Sequence, residues 1–247
     1  MATQLIVVPT FDDTCPENKK AAGLLEKMGV RATFFLTTEN LRQEDATELG
    51  AYHEVGSHTD THPRLTSLDP IAVMAEVAKS KRILENFLRR EVVSFSHPYG
   101  KINGGTKKAV RAAGYAMARG VSIRAPVTEI GDSFNVPLAY SDLPLTNRSM
   151  RYHQLRSFVE GTPSFRYFRF WNNEVHTNPY AAFEGVSKLI VKEYADGIDP
   201  KIVVLLFHAG GIENKDGWEK LEKGLLNILT VGRSRTFGEM AAQTSTG

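Results

Sequence analysis

The chain has 247 residues, of which 42% are hydrophobic and 23% are charged, an ordinary composition for a folded protein with one sizeable core. Its 30 basic and 28 acidic side chains leave a net charge of +2, which excludes a strong overall field for holding nucleic acid. The single cysteine excludes an internal disulfide framework and a cysteine-rich zinc module. No apolar run reaches the roughly 18 residues that a membrane span needs.

Short apolar runs alternate along the chain with amphipathic helical patterns. Strands are predicted at residues 5–8, 30–36, 92–95, 115–118 and 201–207. Helices are predicted at residues 17–29, 39–49, 104–113 and 216–229, and a long one begins at Pro70. Repeated strand and helix predict an α/β fold with parallel strands and right-handed crossovers.

No linker or internal repeat divides the chain. Residues 124–180 are the least regular stretch and carry several prolines. We expect one domain over residues 1–247, with long loops around 124–180. The start of the chain lacks the features of a signal peptide, which favours a cytoplasmic protein unless an export or anchor segment has been removed.

Polar clusters follow four of the apolar runs. They are TFDDT at 10–14, HTDTH at 58–62, SHPYG at 96–100 and FHAGG at 207–211. In parallel α/β folds the carboxyl ends of the strands share one rim and carry the working groups. We therefore expect these four clusters to meet at that rim.

His58 and His62 are spaced for metal binding. Two histidines four residues apart face the same direction if the chain between them makes one turn, and a carboxylate completes a two-histidine, one-carboxylate set with open positions. That set is typical of a catalytic divalent metal. By itself each signal has a plainer interpretation, because Asp12 and Asp13 equally fit a helix N-cap and His208 fits a core histidine.

In this order and spacing, TFDDT, HTDTHP, FSHPYG and LLFHAG resemble the NodB-type polysaccharide deacetylases of carbohydrate esterase family 4. The resemblance spans residues 5–240 and implies a distorted (β/α) barrel, usually of seven parallel strands. It also implies that Asp12 is the catalytic base and that Asp13, His58 and His62 hold the metal.

The same resemblance implies three further roles. The backbone N–H of Tyr99 would stabilise the oxyanion, His208 would be the general acid, and Leu206 would line the acetyl pocket. One divalent ion is implied as the cofactor. Zinc is our first choice, and cobalt, nickel, manganese or iron also suit two imidazoles and a carboxylate.

The chain departs from the family pattern in two motifs. Family members often have an arginine in the third motif where this chain has Ser96. We predict that Arg119 replaces it by hydrogen bonding to Asp12, and we group Arg119 with the substrate-binding residues. The Asp-Trp of the fourth motif is not recognisable between residues 120 and 142, so no partner is predicted for His208.

Two features near the predicted site stay open. The segment FRYFRFWNNEVH at 165–176 fits a packed aromatic element and, equally, a sugar-stacking platform that includes Trp171. Cys15 lies next to the aspartate pair, where an inert buried thiol is favoured over a metal contact.

The leading hypothesis is a metal-dependent hydrolase that removes an acyl group, first of all acetyl, from an N-acylated amino sugar or saccharide. One alternative is hydrolysis of a small non-sugar amide or formamide on the same barrel. Another is a catalytically silent carbohydrate-binding homologue. The sequence does not indicate the oligomeric state.

Overall fold

The computed structural model describes residues 5–123, 130–142, 178–197 and 202–244. Most of the predicted loop region, including Trp171, lies outside the described residues. Within them, no helix is long and apolar enough to cross a membrane.

Nine strands in the described residues form one sheet. They are β1 (Leu5–Asp12), β2 (Thr33–Leu36), β3 (Glu54–Ser57), β4 (Ser94–Ser96), β5 (Met117–Ile123), β6 (Val136–Leu138), β7 (Tyr140–Ser141), β8 (Ile202–Phe207) and β9 (Gly232–Ser234). Their order is β6-β5-β4-β3-β2-β1-β8-β7, and β9 pairs with β1. Every pairing is parallel, as the strand–helix alternation predicted.

The sheet is nearly closed into a barrel by strands β6 and β7. Strand β6 pairs with β5 and strand β7 pairs with β8, so the two ends of the strand order are consecutive in the chain. Between them, the Ala139 N–H donates to the Val204 carbonyl at 2.8 Å. The barrel therefore has eight strands in its main order rather than seven. The segment from β6 to β7 pairs first with β5 and then with β8, and the change of partner at Ala139 splits it into two strands.

The described residues contain seven α-helices. They are α1 (Glu17–Lys27), α2 (Gln43–Tyr52), α3 (Pro70–Leu88), α4 (Gly104–Ala112), α5 (Pro179–Ala195), α6 (Lys215–Leu229) and α7 (Phe237–Thr244). Helix α3 begins as predicted, with Pro70 in its first turn and the Asp69 carboxylate accepting from the backbone N–H groups of Ile71 and Ala72.

The strand side chains alternate between two apolar layers, as the two-residue period of a strand requires. Phe11, Phe34 and Phe207 belong to the layer between sheet and helices. A second layer fills the inside of the barrel and is closed by helix α7. Its members include Val8, Phe35, Met117, Leu206 and Phe237.

Gly56 makes room for this inner layer. A Cβ atom there would lie 2.6 Å from the Phe35 ring, closer than side chains pack. Helix α7 sits at the amino ends of the strands, where the Phe237 N–H donates to Thr33 Oγ1 at the start of β2. The carboxyl ends form the opposite rim.

Candidate active site

The carboxyl ends of four strands bring the predicted polar clusters together. Asp12 is the last residue of β1, and Ser96 is the last residue of β4. His58 follows β3 directly, and His208 follows β8 directly. Neither aspartate of the TFDDT cluster caps helix α1, because Pro16 stands at its N-cap and no side chain caps the helix there.

Asp13, His58 and His62 form the three-residue cluster that could hold a metal ion. The Nε2 atoms of His58 and His62 lie 3.1 Å apart. The Asp13 Oδ1 atom lies 3.7 Å from His58 Nε2 and 3.6 Å from His62 Nε2. Ligands about 2.0–2.2 Å from one tetrahedral ion stand ~3.4 Å from one another, so these residues fit a divalent metal.

The orientation of His58 supports this fit. Its Nδ1 lies 2.8 Å from the Ser96 carbonyl oxygen, which can only accept, so Nδ1 carries the proton and Nε2 presents its lone pair. Burial lowers the pKa of His58, which keeps the ring neutral. A backbone carbonyl that fixes the tautomer of a histidine is the usual support of a metal-binding imidazole.

The turn from His58 to His62 has a strained backbone. Thr59 has φ 71° and His62 has φ 59°, both in the left-handed region that side chains rarely adopt. Asp13 and Tyr99, which also lie at this rim, have φ 72° and 55°. Each such residue costs on the order of 1–3 kcal/mol, so the surrounding contacts must hold the conformation in place.

Helix α3 supplies much of that support. The Glu76 carboxylate accepts from the backbone N–H groups of Asp60 (3.1 Å) and Thr61 (3.0 Å), and from Thr61 Oγ1 at 2.8 Å. One turn later, Lys79 Nζ lies 2.5 Å from the Asp60 carboxylate. Asp60 also accepts from Thr38 Oγ1 at 2.7 Å. The turn is therefore held by helix α3 and by the segment that follows β2.

Asp12 is buried with an opposite charge. A guanidinium nitrogen of Arg119 donates to Asp12 Oδ1, and Ser96 Oγ donates to Oδ2 at 3.1 Å. The same guanidinium donates to Ser96 Oγ at 2.8 Å. Burial would raise the pKa of Asp12, but the charges of Arg119, His58 and His208 outweigh it and lower the pKa to about 2.

The predicted contact between Arg119 and Asp12 is thus present. Arg119 lies on β5 directly opposite Ser96 on β4, so the arginine reaches the base from the adjacent strand. Arg119 is 0% exposed, and its grouping with the substrate-binding residues stays a prediction. The Arg119 guanidinium holds the Asp12 carboxylate in place through its hydrogen bond to Oδ1.

His208 has a carboxylate partner that the sequence analysis missed. Asp142 accepts from His208 Nδ1 at 2.8 Å and from the His208 backbone N–H at 2.6 Å. Burial would lower the pKa of His208, but the hydrogen bond and charge of Asp142, with Asp12 and Asp13, raise it to about 9. Asp142 directly follows the short strand β7, which the sequence analysis did not predict.

The remaining predicted residues have different environments. Tyr99 is 54% exposed in the Pro98–Gly100 turn, and its ring centroid lies 4.6 Å from that of His62. Leu206 is completely buried in the inner layer near the rim. Cys15 is outside the metal-ligand cluster, and its Sγ lies 3.4 Å from Asn18 Oδ1. Trp171 lies outside the described residues.

Parts of this chain are similar to a known protein family and to curated proteins. The profile of the family described as "Polysaccharide deacetylase" matches residues 2–118, which carry three of the four clusters. YxkH of Bacillus subtilis (strain 168), which bears the name of a polysaccharide deacetylase, is 32% identical over 119 residues, 45% of this chain and 43% of that protein. The chain thus spans less than half the length of the curated relatives it matches.

Solved structures extend the likeness over the whole fold. The chitin deacetylase of the fungus Colletotrichum lindemuthianum has a TM-score of 0.61 at 16% identity, covering 97% of this chain and 88% of that one. A family 4 carbohydrate esterase pseudoenzyme of Bacillus anthracis has a TM-score of 0.60 at 15% identity, covering 98% of this chain and 66% of that one. At such identities the likeness shows the fold alone.

The profile over residues 2–118 and the curated relatives agree with the motifs read from the sequence, and the chain is similar to the polysaccharide deacetylase family.

Proposed function

We propose that this protein is a metal-dependent hydrolase that removes acetyl groups from the nitrogen of an amino sugar in an oligosaccharide or polysaccharide. The observation that carries the proposal is geometric. The cluster of Asp13, His58 and His62 lies beside the carboxylate of Asp12, whose Oδ2 is 3.6 Å from His58 Nε2. A histidine with its own carboxylate, His208 with Asp142, completes the rim.

A divalent cation held by Asp13, His58 and His62 would supply Lewis acidity, which polarises the acyl oxygen and lowers the pKa of water. Zinc is our first proposal for it. The Asp12 carboxylate accepts a proton from the water whose oxygen adds to the acyl carbon. Arg119 and Ser96 hold that carboxylate in one orientation, because both donate to it.

The leaving nitrogen needs a proton before the carbon–nitrogen bond breaks, because an amide anion is too basic to depart. His208 donates this proton from Nε2, since its Nδ1 proton is held by Asp142. The products are acetate and the free amine. The backbone N–H of Tyr99 is our proposed donor to the oxyanion that forms on the way.

The test is the release of acetate from N-acetylated chitooligosaccharides by metal-loaded protein, with metal content measured in parallel. Asp12→Asn keeps the size of the side chain and removes the base, so we expect turnover to fall about 10²–10⁴-fold while metal stays bound. Acetate or formate released only from small amides would establish the alternative substrate. No release from either class, with saccharide still bound, would identify a silent carbohydrate-binding protein.

A further inference from the structure

A polar pocket lies directly beside the metal-ligand cluster. It has a volume of about 320 Å³. Its lining comes from the β1–α1 connection, the β2–α2 connection and the turn between His58 and His62. The lining residues are Asp13, Thr14, Thr37, Glu39, Asn40, Asp60, Thr61 and His62. Two of them, Asp13 and His62, also belong to the metal-ligand cluster, so a group seated here adjoins the reacting bond.

Every lining side chain is polar, which is unusual for a pocket of this size. Several of these groups already have partners. Thr14 Oγ1 donates to the Thr37 carbonyl at 2.7 Å, and Thr61 Oγ1 donates to Glu76 at 2.8 Å. Asp60 is neutralised by Lys79. These contacts form the fixed frame of the pocket.

Two side chains of the lining are available to a ligand. Across the described part of the chain, neither Glu39 nor Asn40 has a side-chain hydrogen bond or ion pair. The backbone next to them is fixed, because the N–H groups of Thr38 and Glu39 donate to the Asp60 carbonyl at 3.1 and 3.0 Å. A carboxylate and an amide on a fixed backbone suit the hydroxyl or amino groups of a ligand.

Without a bound metal, the charge of the lining is negative. Its ionisable side chains are three carboxylates and one histidine, with no lysine or arginine. Asp60 is paired with Lys79 and Asp13 faces the metal-ligand cluster, whereas Glu39 interacts with Lys79 only at longer range and has no ion pair of its own among the described residues. A carboxylate brought next to Glu39 would be repelled, whereas a neutral or cationic group would not.

We propose that this pocket binds the sugar ring next to the one that carries the acyl group, and that Glu39 selects a neutral or amino sugar there against an acidic sugar. The proposal rests on the proposed function and names the substrate class of the same site. The volume is at the lower end of the range of about 300–1,000 Å³ for ligand pockets, which suits one ring.

The kinetic test compares matched N-acetylated disaccharides whose second ring is either N-acetylglucosamine or a uronic acid. Glu39→Gln removes the charge. We expect the ratio of kcat/KM for the neutral disaccharide to kcat/KM for the acidic one to fall about tenfold, because the variant loses a charge-assisted hydrogen bond to the neutral ring or a repulsion of the acidic ring. Asn40→Ala should raise KM for both disaccharides alike. Glu44→Gln, an equal charge change at an exposed position of α2 outside the pocket, is the control and should change nothing.

Equilibrium titration of the metal-free protein with the same disaccharides provides a readout without turnover. We expect weaker binding of the neutral disaccharide to the Glu39→Gln variant than to the Glu44→Gln variant. Metal affinity should be equal in the two, and a loss of metal in Glu39→Gln alone would overturn the proposal.

The two proposals fail in different ways. If acetate is released but Glu39→Gln and Glu44→Gln behave alike in kinetics and titration, the pocket is not the subsite. If no saccharide releases acetate while titration still shows binding that depends on Glu39, the proposed function fails, and the result supports only saccharide binding in this pocket.

Discussion

Asp12 and Arg119 form a buried ion pair at the rim of the barrel. Their side chains are 4% and 0% exposed. Removing one partner of such a pair leaves an uncompensated charge away from water, which is far costlier than removing both. The pair therefore ties the geometry of the base to the stability of the fold.

Arg119→Ala is expected to lower the free energy of unfolding of the metal-free protein by about 3–5 kcal/mol, because Asp12 is then buried without its cation. The variant with both Arg119→Ala and Asp12→Ala should be more stable than Arg119→Ala alone. Urea denaturation of the two single variants, the double variant and the parent measures the coupling. Additive effects would show that the contact contributes nothing.

Asp142 should set the alkaline limb of the pH–rate profile through His208. As the general acid, His208 must be protonated, so activity is present below its pKa of about 9 and is lost as the pH rises through that value. Asp142→Asn removes the charge that raises the pKa, although Asp12 and Asp13 still face the ring. The alkaline limb of kcat/KM should move to lower pH, and an unchanged limb would assign it to another group.

At the scale of elements, helix α3 acts on the metal cluster through the turn it supports. Glu76 contacts neither His58 nor His62, yet it accepts three hydrogen bonds from the residues between them. The strained backbone of that turn is held by contacts of this kind. Glu76 therefore positions two of the three residues that could hold a metal.

Glu76→Ala is expected to weaken metal affinity about 10–100-fold, as outer supports of metal ligands commonly do when removed. Glu76→Gln should retain most of the affinity, because its amide can still accept from the two backbone N–H groups and donate to Thr61. Competition with a chelator measures both values. Arg82→Gln, at an exposed position of the same helix, is the control. Equal affinities in the alanine and glutamine variants would contradict this role.

At the scale of the whole molecule, metal binding is expected to stabilise the fold, because the ligand cluster is assembled only in the native state. A metal at 100 times its Kd adds about 2.7 kcal/mol. His58→Ala should remove most of this stabilisation yet leave a folded protein, since both apolar layers are independent of the site. Thermal melting with zinc and with EDTA measures the shift.

Cys15→Ser is the matched control for that measurement. It leaves all three members of the metal cluster in place, so the shift in melting temperature should survive. A shift that disappears with Cys15 would make the thiol a ligand. The single-domain organisation over residues 1–247 and the location of the protein in the cell stay predictions.

The local pattern of the chain determined much of this protein. The alternation of apolar runs and helices predicted the parallel sheet, and the clusters at residues 10–14 and 58–62 predicted that Asp13, His58 and His62 come together. Both follow from local rules: parallel strands place their carboxyl ends on one rim, and histidines four residues apart face one direction when the chain between them makes one turn. The split of the closing strand at Ala139 was not predictable, because it depends on two partners far away in the sequence.

Only the tertiary structure decided the partners of the acid and the base. Arg119 is 107 residues from Asp12, and Asp142 is 66 residues from His208. Arg119 was predicted at Asp12 and also placed with the substrate; the contact with Asp12 is present, and the second assignment stays a prediction. Asp142 reaches His208 because β7 pairs with β8 in a register that sets Ser141 beside Leu206. Strand register is fixed by packing across the whole barrel, which no single stretch of sequence encodes.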